Sequence, residues 1–145
     1  MSQVKKILVA YDGSPHSKKA LEWAIELSLL SCAQVAAVKV LDLSELYLLR
    51  GASEAFIQGL EEIRREDQKM MDEAVATGQN RGVKVTVEHL QGNIAQEILN
   101  YAKQGNYDMI VTGTKGHGAL EEMLMGSVTR NLVSLSHIPV LVVKD

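Results

Sequence analysis

A glycine-rich stretch from Asp108 to Thr129 has the composition of a ligand-binding loop. A short apolar run, typical of a buried strand, precedes glycines at positions 113, 116 and 118, and a helical pattern starts after a fourth glycine at 126. Glycine lets a ligand approach the backbone closely, and a helix start offers N–H groups and the positive end of a dipole. Together these features predict an anion site, most simply a phosphate site.

The simpler interpretation of these glycines is a surface loop in which they only turn the chain. The spacing favours binding, because Gly113, two residues, Gly116, nine residues, Gly126 and then Ser127 form the pattern G-x2-G-x9-G-S/T. The chain contains no Walker A loop, whose pattern would be G-x-x-x-x-G-K-S/T. Any phosphate site here is therefore of a different kind.

The elements that would position this loop alternate between strand and helix. Apolar runs predict strands at 7–10, 34–40, 83–87, 107–112 and 138–143, with the third half-exposed at a sheet edge. Helical patterns follow Ser14, span about 52–81, follow Asn93 and span about 127–136. The alternation predicts a single doubly wound, Rossmann-like α/β domain over residues 1–145, with a five-stranded parallel sheet and helices on both faces.

The first strand and the first helix are joined by a turn that contains Asp12. Ser14 is a good N-cap and Pro15 suits the first helical position, so the helix start is well defined. We expect this helix to bury Leu29, and Cys32 beyond it to be a small buried residue. In α/β proteins a polar residue after a strand is often presented to a ligand, although Asp12 could instead only brace the turn.

The composition narrows the classes of function. A net charge of −3 with no basic block argues against a nucleic-acid partner. No signal peptide or membrane-spanning apolar run is apparent, so we expect a cytoplasmic protein. The four histidines lack zinc-ligand spacing and there is no G-x-S-x-G elbow, so the sequence favours a binding protein with slow hydrolysis at most.

Three segments resemble the universal stress protein family, in its nucleotide-binding branch. Residues 7–14 resemble its opening strand and Asp turn, and residues 38–40 resemble its second strand. The glycine pattern, followed by residues 138–143, is similar to its closing signature. The resemblance covers almost the whole chain and implies the strand order 3-2-1-4-5, with Asp12 and Gly113 on the two lips of one crevice.

The resemblance also implies which residues would bind an adenine nucleotide. The backbone of Ala10, Tyr11, Asp12 and Val40 would hold the base and the ribose. The phosphates would contact the N–H groups and hydroxyls of a second set, comprising Thr112, Gly113, Gly116, Gly126, Ser127, Val128 and Thr129. Lys115 would add a charge to the outer phosphate, or is simply a solvated lysine. The implied ligand is ATP, with AMP and ADP as alternatives, accompanied by Mg²⁺ or Mn²⁺.

Three functions remain open at this stage. The first is an ATP-binding switch in the stress response, and the second is an interaction protein of the same fold that needs no ligand. The third, an adenylyl-transfer enzyme, is weaker because the chain lacks S-G-G-x-D-S-type and H-I-G-H-type signatures. The apolar strand at 138–143 would lie at a sheet edge, and both edge chemistry and the resemblance imply a homodimer through it.

Overall fold

Alternating strands and helices build one parallel sheet covered on both faces. The computed structural model describes residues 3–42, 53–115 and 125–144. Its strands are β1 (Lys6–Ala10), β2 (Gln34–Asp42), β3 (Val85–Gly92), β4 (Met109–Gly113) and β5 (Val140–Val143). Its helices are α1 (Pro15–Ser31), α2 (Ser53–Gln79), α3 (Ile94–Gln104) and α4 (Ser127–Leu135). The strand order is β3-β2-β1-β4-β5, which confirms the predicted sheet.

Two apolar cores lie on opposite faces of the sheet, because successive side chains of a strand point to opposite sides. On one face Ile7 and Val9 pack with residues of α1 and α2, including Leu21 and Met71. On the other face Leu8 packs with residues of α3 and α4, among them Ile98 and Leu132. Burial on both faces explains why the central strands are continuously apolar in the sequence.

The helix starts differ in how their backbone donors are satisfied. Ser14 caps α1, its hydroxyl accepting the N–H of Ser17, and Asn93 caps α3 in the same way through Gln96. Helix α4 begins after Gly126, which has no side chain and therefore provides no cap hydrogen bond. The uncapped start belongs to the helix that follows the glycine-rich stretch.

Several predicted boundaries move, and local hydrogen bonds explain the shifts. Strand β3 begins at Val85 and not at Val83, because the Val83 N–H donates to the Gly78 carbonyl and closes the turn after α2. Strand β5 begins at Val140, because the Ser136 hydroxyl bonds both the N–H and the carbonyl of Ile138. Strand β4 ends at Gly113, one residue later than expected, and β2 continues to Asp42.

Two burial predictions on α1 were wrong. Leu29 is 47% exposed, because it follows the buried Ser28 by one residue and is rotated about 100° further from the sheet. Cys32 is exposed as well, since it forms the left-handed C-cap of α1 with φ 62° and its N–H donates to the Ser28 carbonyl. The prediction of an edge position for the third strand is confirmed.

Candidate functional site

A crevice opens at the carboxyl ends of β1 and β4, which are adjacent and parallel. The chain leaves β1 for α1 on one face of the sheet, and the helix that follows β4 lies on the other face. This divergence is the topological switch point at which open α/β sheets bind ligands. The predicted site residues lie along both lips of this crevice, apart from Gly116, which is outside the described residues.

The β1 lip is formed by a turn that Asp12 braces. One carboxylate oxygen of Asp12 accepts the Ser14 N–H at 2.9 Å, and the Asp12 N–H donates to the Ser17 hydroxyl at 3.3 Å. The bracing role considered from the sequence is therefore real.

Ala10 and Tyr11 contribute backbone to this lip. Ala10 ends β1 and pairs with Val38, and the next N–H, that of Tyr11, donates to the Val38 carbonyl at 2.9 Å. The Tyr11 side chain is buried in the core beneath α1 and α2, away from the face of α4. Burial raises its pKa, with smaller contributions from Glu73 and Asp12, so the phenol stays protonated at neutral pH.

Strand β2 projects beyond β1 and borders the crevice with Val40. The register pairs Ala10, the last residue of β1, with Val38, so Val40 lies two residues past the end of β1. Its side chain is buried among the residues that face α3 and α4. The two-residue extension to Asp42 also brings a carboxylate to the same edge, which the shorter predicted strand did not include.

The start of α4 forms the other lip. Ser127, Val128 and Thr129 are its first three residues, and their N–H groups have no intrahelical acceptor. The N–H of Gly126, in contrast, donates to the Thr114 carbonyl at 2.8 Å. This bond joins the start of α4 to the residue after β4, and it was not apparent from the sequence because the two residues are distant in the chain. The predicted phosphate contact of Gly126 stays a prediction.

The end of β4 is tied to α4 and packed against α1. The Gly113 carbonyl accepts the Thr129 hydroxyl at 2.8 Å and, more weakly, the Thr112 hydroxyl at 3.3 Å. A Cβ added at Gly113 would lie 2.7 Å from the Cβ of His16 and 2.8 Å from its carbonyl carbon. Two of the three predicted hydroxyl ligands of phosphate, Thr112 and Thr129, are buried and bonded within the protein, whereas Ser127 is exposed.

Lys115 is half-buried at the edge of the described residues, while Gly118 and His117 fall outside them. Within residues 3–42, 53–115 and 125–144 no group of three or more His, Cys, Asp or Glu side chains gathers as metal ligands. Across the same described part of the chain, no helix is long and apolar enough to cross a membrane.

A cavity of about 300 Å³ lies elsewhere, between α1 and α2. Tyr11 and Leu21 line it together with Ala76, and charged residues surround them. The charged rim is partly neutralised, since the Lys18 ammonium lies 3.8 Å from a Glu73 carboxylate oxygen. This cavity is on the face of the sheet opposite to α4, so it is separate from the crevice.

The strand order, the switch-point crevice and the uncapped helix beside it define an open doubly wound α/β domain of the type that binds ligands at its carboxyl edge. Residues 3–144 match the model of the family described as "Universal stress protein family". The chain belongs to the universal stress protein family.

The comparisons with individual proteins agree with this assignment. Universal stress protein YxiE of Bacillus subtilis is 36% identical over 145 residues, covering 96% of this chain and 98% of YxiE. Universal stress protein MJ0531 of Methanocaldococcus jannaschii is 37% identical over 142 residues, covering 97% of this chain and 82% of that protein.

Solved structures match the fold over its whole length. The structure of MJ0577 from Methanocaldococcus jannaschii superposes with a TM-score of 0.88 at 29% identity, covering 99% of this chain and 97% of that one. More distant matches, both 19% identical, include a universal stress protein in complex with cAMP (TM-score 0.74) and one from Archaeoglobus fulgidus in complex with dAMP (TM-score 0.67). Each of these two covers 98% or more of both chains.

Proposed function

We propose that this protein binds ATP in the crevice between β1 and β4 and acts as a nucleotide-dependent switch in the stress response. The observation that carries the proposal is the uncapped start of α4 beside the end of β4. A helix start without a capping side chain leaves oriented N–H donors and a positive dipole end for an anion.

The phosphate half of the proposed site is the first turn of α4. Ser127 is exposed and Val128 half-buried, so their N–H groups lie near the surface of the crevice. Arg130 follows on the exposed side of the same turn. These donors are mainly backbone groups, which explains why a phosphate site needs no conspicuous cluster of side chains here.

The adenosine half is the turn after β1 together with the projecting part of β2. The carboxylate of Asp12, two residues past the end of β1, would accept hydrogen bonds from the ribose hydroxyls. The backbone of Val40, two residues past the end of β1, would border the base. The complexes of two family members with cAMP and dAMP support an adenine nucleotide as the ligand class. We propose ATP, with AMP and ADP as alternatives, because the glycine pattern resembles that of the nucleotide-binding branch.

Hydrolysis would be slow at most. Phosphoryl transfer needs a metal clamp and a positioned water or acceptor. We place Asp12 and Asp42 at this edge of the sheet, and neither belongs to a three-ligand group within the described residues. A Mg²⁺ or Mn²⁺ ion would therefore be bound mainly by the nucleotide's phosphates.

We further propose that the whole chain, residues 1–145, is one cytoplasmic nucleotide-binding domain that forms a homodimer. Strand β5 lies at one edge of the sheet that the described residues form, next to β4. Val140, Leu141 and Val142 are each half-buried in the single chain. Pairing of β5 with its own copy across a two-fold axis would cover this apolar edge.

The direct test is the identification of nucleotide released from the purified protein. We expect mass spectrometry of the denatured sample to show ATP or another adenine nucleotide, and calorimetry to give a Kd in the micromolar range, about −7 to −9 kcal/mol. If carefully stripped protein binds no adenine nucleotide at millimolar concentration, the ligand-independent interaction protein becomes the better description.

The role of Asp12 can be separated from its bracing contact with a near-isosteric variant. Asp12→Asn keeps a carbonyl oxygen for the Ser14 N–H but loses the charge, whereas Asp12→Ala loses both. We expect Asp12→Asn to retain its Tm and to weaken ATP binding by about 1.5–3 kcal/mol, the range for a hydrogen bond to a charged group. Unchanged affinity with a lowered Tm would show that Asp12 serves only the turn.

A further inference from the structure

Gly113 touches both helices that begin at the crevice. It is the last residue of β4 and is buried. Its carbonyl accepts the Thr129 hydroxyl from the first turn of α4 at 2.8 Å. Its α-carbon packs against the first turn of α1, where the backbone of His16 lies.

The contact with α1 is close enough to require glycine. An added Cβ would lie 2.8 Å from both the carbonyl carbon and the carbonyl oxygen of His16, closer than Cβ atoms approach in proteins. The neighbour that would have to move is backbone, which cannot rotate away as a flexible side chain can. Gly113 thus sets how near the start of α1 comes to the end of β4.

The contact with α4 uses the single proton of the Thr129 hydroxyl. A hydroxyl has one proton to donate, and here it goes to the Gly113 carbonyl. Thr129 therefore cannot donate to a phosphate oxygen without breaking this bond. A second bond, from the Gly126 N–H to the Thr114 carbonyl at 2.8 Å, fixes the same end of α4 to the same segment.

We propose that Gly113 and the Thr129 side chain are positioning groups that hold the starts of α1 and α4 at a fixed separation, and that the Thr129 hydroxyl is not a phosphate ligand. The proposal rests on the proposed function, because the separation matters for a nucleotide that spans the Asp12 turn and the α4 start. Preorganised binding groups raise affinity because less ordering is needed when the ligand arrives.

The test compares ligands that span the two halves with ligands that occupy one. Thr129→Val keeps the volume and loses the hydrogen bond, and Thr129→Ser keeps the bond. We expect Thr129→Val to weaken ATP binding about tenfold, and to change the binding of tripolyphosphate and of adenosine less than about twofold, because each occupies a single half. Thr129→Ser should bind ATP within about twofold of the unmodified protein. Calorimetry and NMR titration give the constants.

The matched control removes a buried hydroxyl-to-carbonyl bond far from the crevice. The Ser28 hydroxyl donates to the Ala33 carbonyl at 2.6 Å at the opposite end of α1. Ser28→Ala should lower the free energy of unfolding and leave the Kd for ATP unchanged. A loss of affinity in Ser28→Ala equal to that in Thr129→Val would show a general effect of stability and overturn the proposal.

The contacts of Gly113 with Thr129 and with His16 form a junction between β4 and the starts of α4 and α1. Amide hydrogen exchange of the ligand-free protein tests this junction without any nucleotide. We expect faster exchange at the hydrogen-bonded amides of α4, which begin with Arg130, in Thr129→Val, and at the start of α1 in Gly113→Ala, where His16 must shift. Gly113→Ala also serves if Thr129→Val does not fold. The proposed positioning role is wrong if amide exchange is unchanged in these variants, or if Thr129→Val weakens the binding of tripolyphosphate as much as the binding of ATP. If the unmodified protein binds no adenine nucleotide, the proposed function fails. The amide exchange rates of the variants then test by themselves whether Gly113 and Thr129 position the two helix starts.

Discussion

A capping side chain at Gly126 should stabilise the protein and weaken its nucleotide binding at the same time. Gly126 has φ −72° and ψ 163°, which nearly equal the φ −66° and ψ 158° of Ser14, the residue that caps α1. This backbone therefore accepts a capping residue without strain. A serine or aspartate oxygen at position 126 would accept the Thr129 N–H, as Ser14 accepts that of Ser17.

The size of the stabilisation follows from the cap and the dipole. Replacing glycine by a better N-cap contributes a few tenths of a kcal/mol, and a carboxylate at a helix start adds about 0.3–1 kcal/mol. Gly126→Asp should therefore raise the free energy of unfolding by about 0.5–1.5 kcal/mol, which corresponds to a Tm increase of about 1–5 °C for a chain of this size. Gly126→Ser should give the smaller part of this increase.

The same carboxylate would occupy the donors of a bound phosphate and repel it. We expect the Kd for ATP to rise at least tenfold in Gly126→Asp, which is about 1.4 kcal/mol, and to rise less in Gly126→Ser. Gln34→Glu is the control, because it adds one negative charge at the exposed start of β2, at the amino-terminal ends of the strands and away from the crevice. Thermal unfolding and calorimetry measure the two effects. Stabilisation without any loss of ATP affinity in Gly126→Asp would refute the placement of phosphate at α4.

Three further predictions concern the rest of the molecule. Hydrogen bonds from the Lys5 and Lys6 N–H groups lower the pKa of Asp108, so the charged carboxylate stabilises the fold above the usual carboxyl pKa of about 4. This stabilisation is lost as the pH falls below that value and Asp108 takes up a proton. The free energy of unfolding of the unmodified protein should therefore exceed that of Asp108→Asn only at the higher pH, and a difference that persists at lower pH would contradict the prediction. Burial, and to a smaller extent the neighbouring Tyr101, raises the pKa of Tyr107 to about 12. The stability of the unmodified protein relative to Tyr107→Phe should therefore fall as the pH rises above about 10, where the unfolded chain ionises first. Tyrosinate absorbance of Tyr107 that appears already near pH 10 would refute the raised pKa. Val142→Lys on the β5 edge should give a monomer in size-exclusion chromatography with light scattering, and an unmodified protein that is already monomeric at tens of micromolar would rule out the proposed dimer.

The sequence predicts the elements of this fold well because each strand and helix has its own periodicity. Its failures concern contacts between elements that a periodic pattern does not encode. Val83 belongs to an apolar alternation, yet its N–H closes the turn after α2. Leu29 continues an apolar spacing, yet it lies past the edge of the stripe that α1 buries. The strand order was available only from the family resemblance, since alternation alone permits several orders of five parallel strands.

For the candidate site too, the sequence predicted the position of residues along their own elements but not the contacts between elements. Asp12 and Gly113 do lie at the same end of the sheet, because they stand at the carboxyl ends of the adjacent parallel strands β1 and β4. What the sequence did not distinguish is a glycine needed for a ligand from a glycine needed for a neighbouring helix. Gly113 contacts His16, which is distant in the sequence and carries no motif that would signal the contact. Thr129 presents the same ambiguity, because a hydroxyl at a helix start suits both a phosphate and a carbonyl.

This ambiguity determines which substitutions are informative. Gly113→Val would insert a branched side chain against the His16 backbone, so a loss of ATP binding in that variant would report altered packing as much as a lost phosphate contact. The proposed phosphate ligands are N–H groups, which no side-chain truncation removes. A variant that adds a competing group to a compatible backbone position, as Gly126→Asp does, changes the electrostatics of those donors and leaves the Gly113 junction in place. Opposite effects on stability and affinity in one variant cannot arise from general destabilisation, and they would assign the first turn of α4 to the anion.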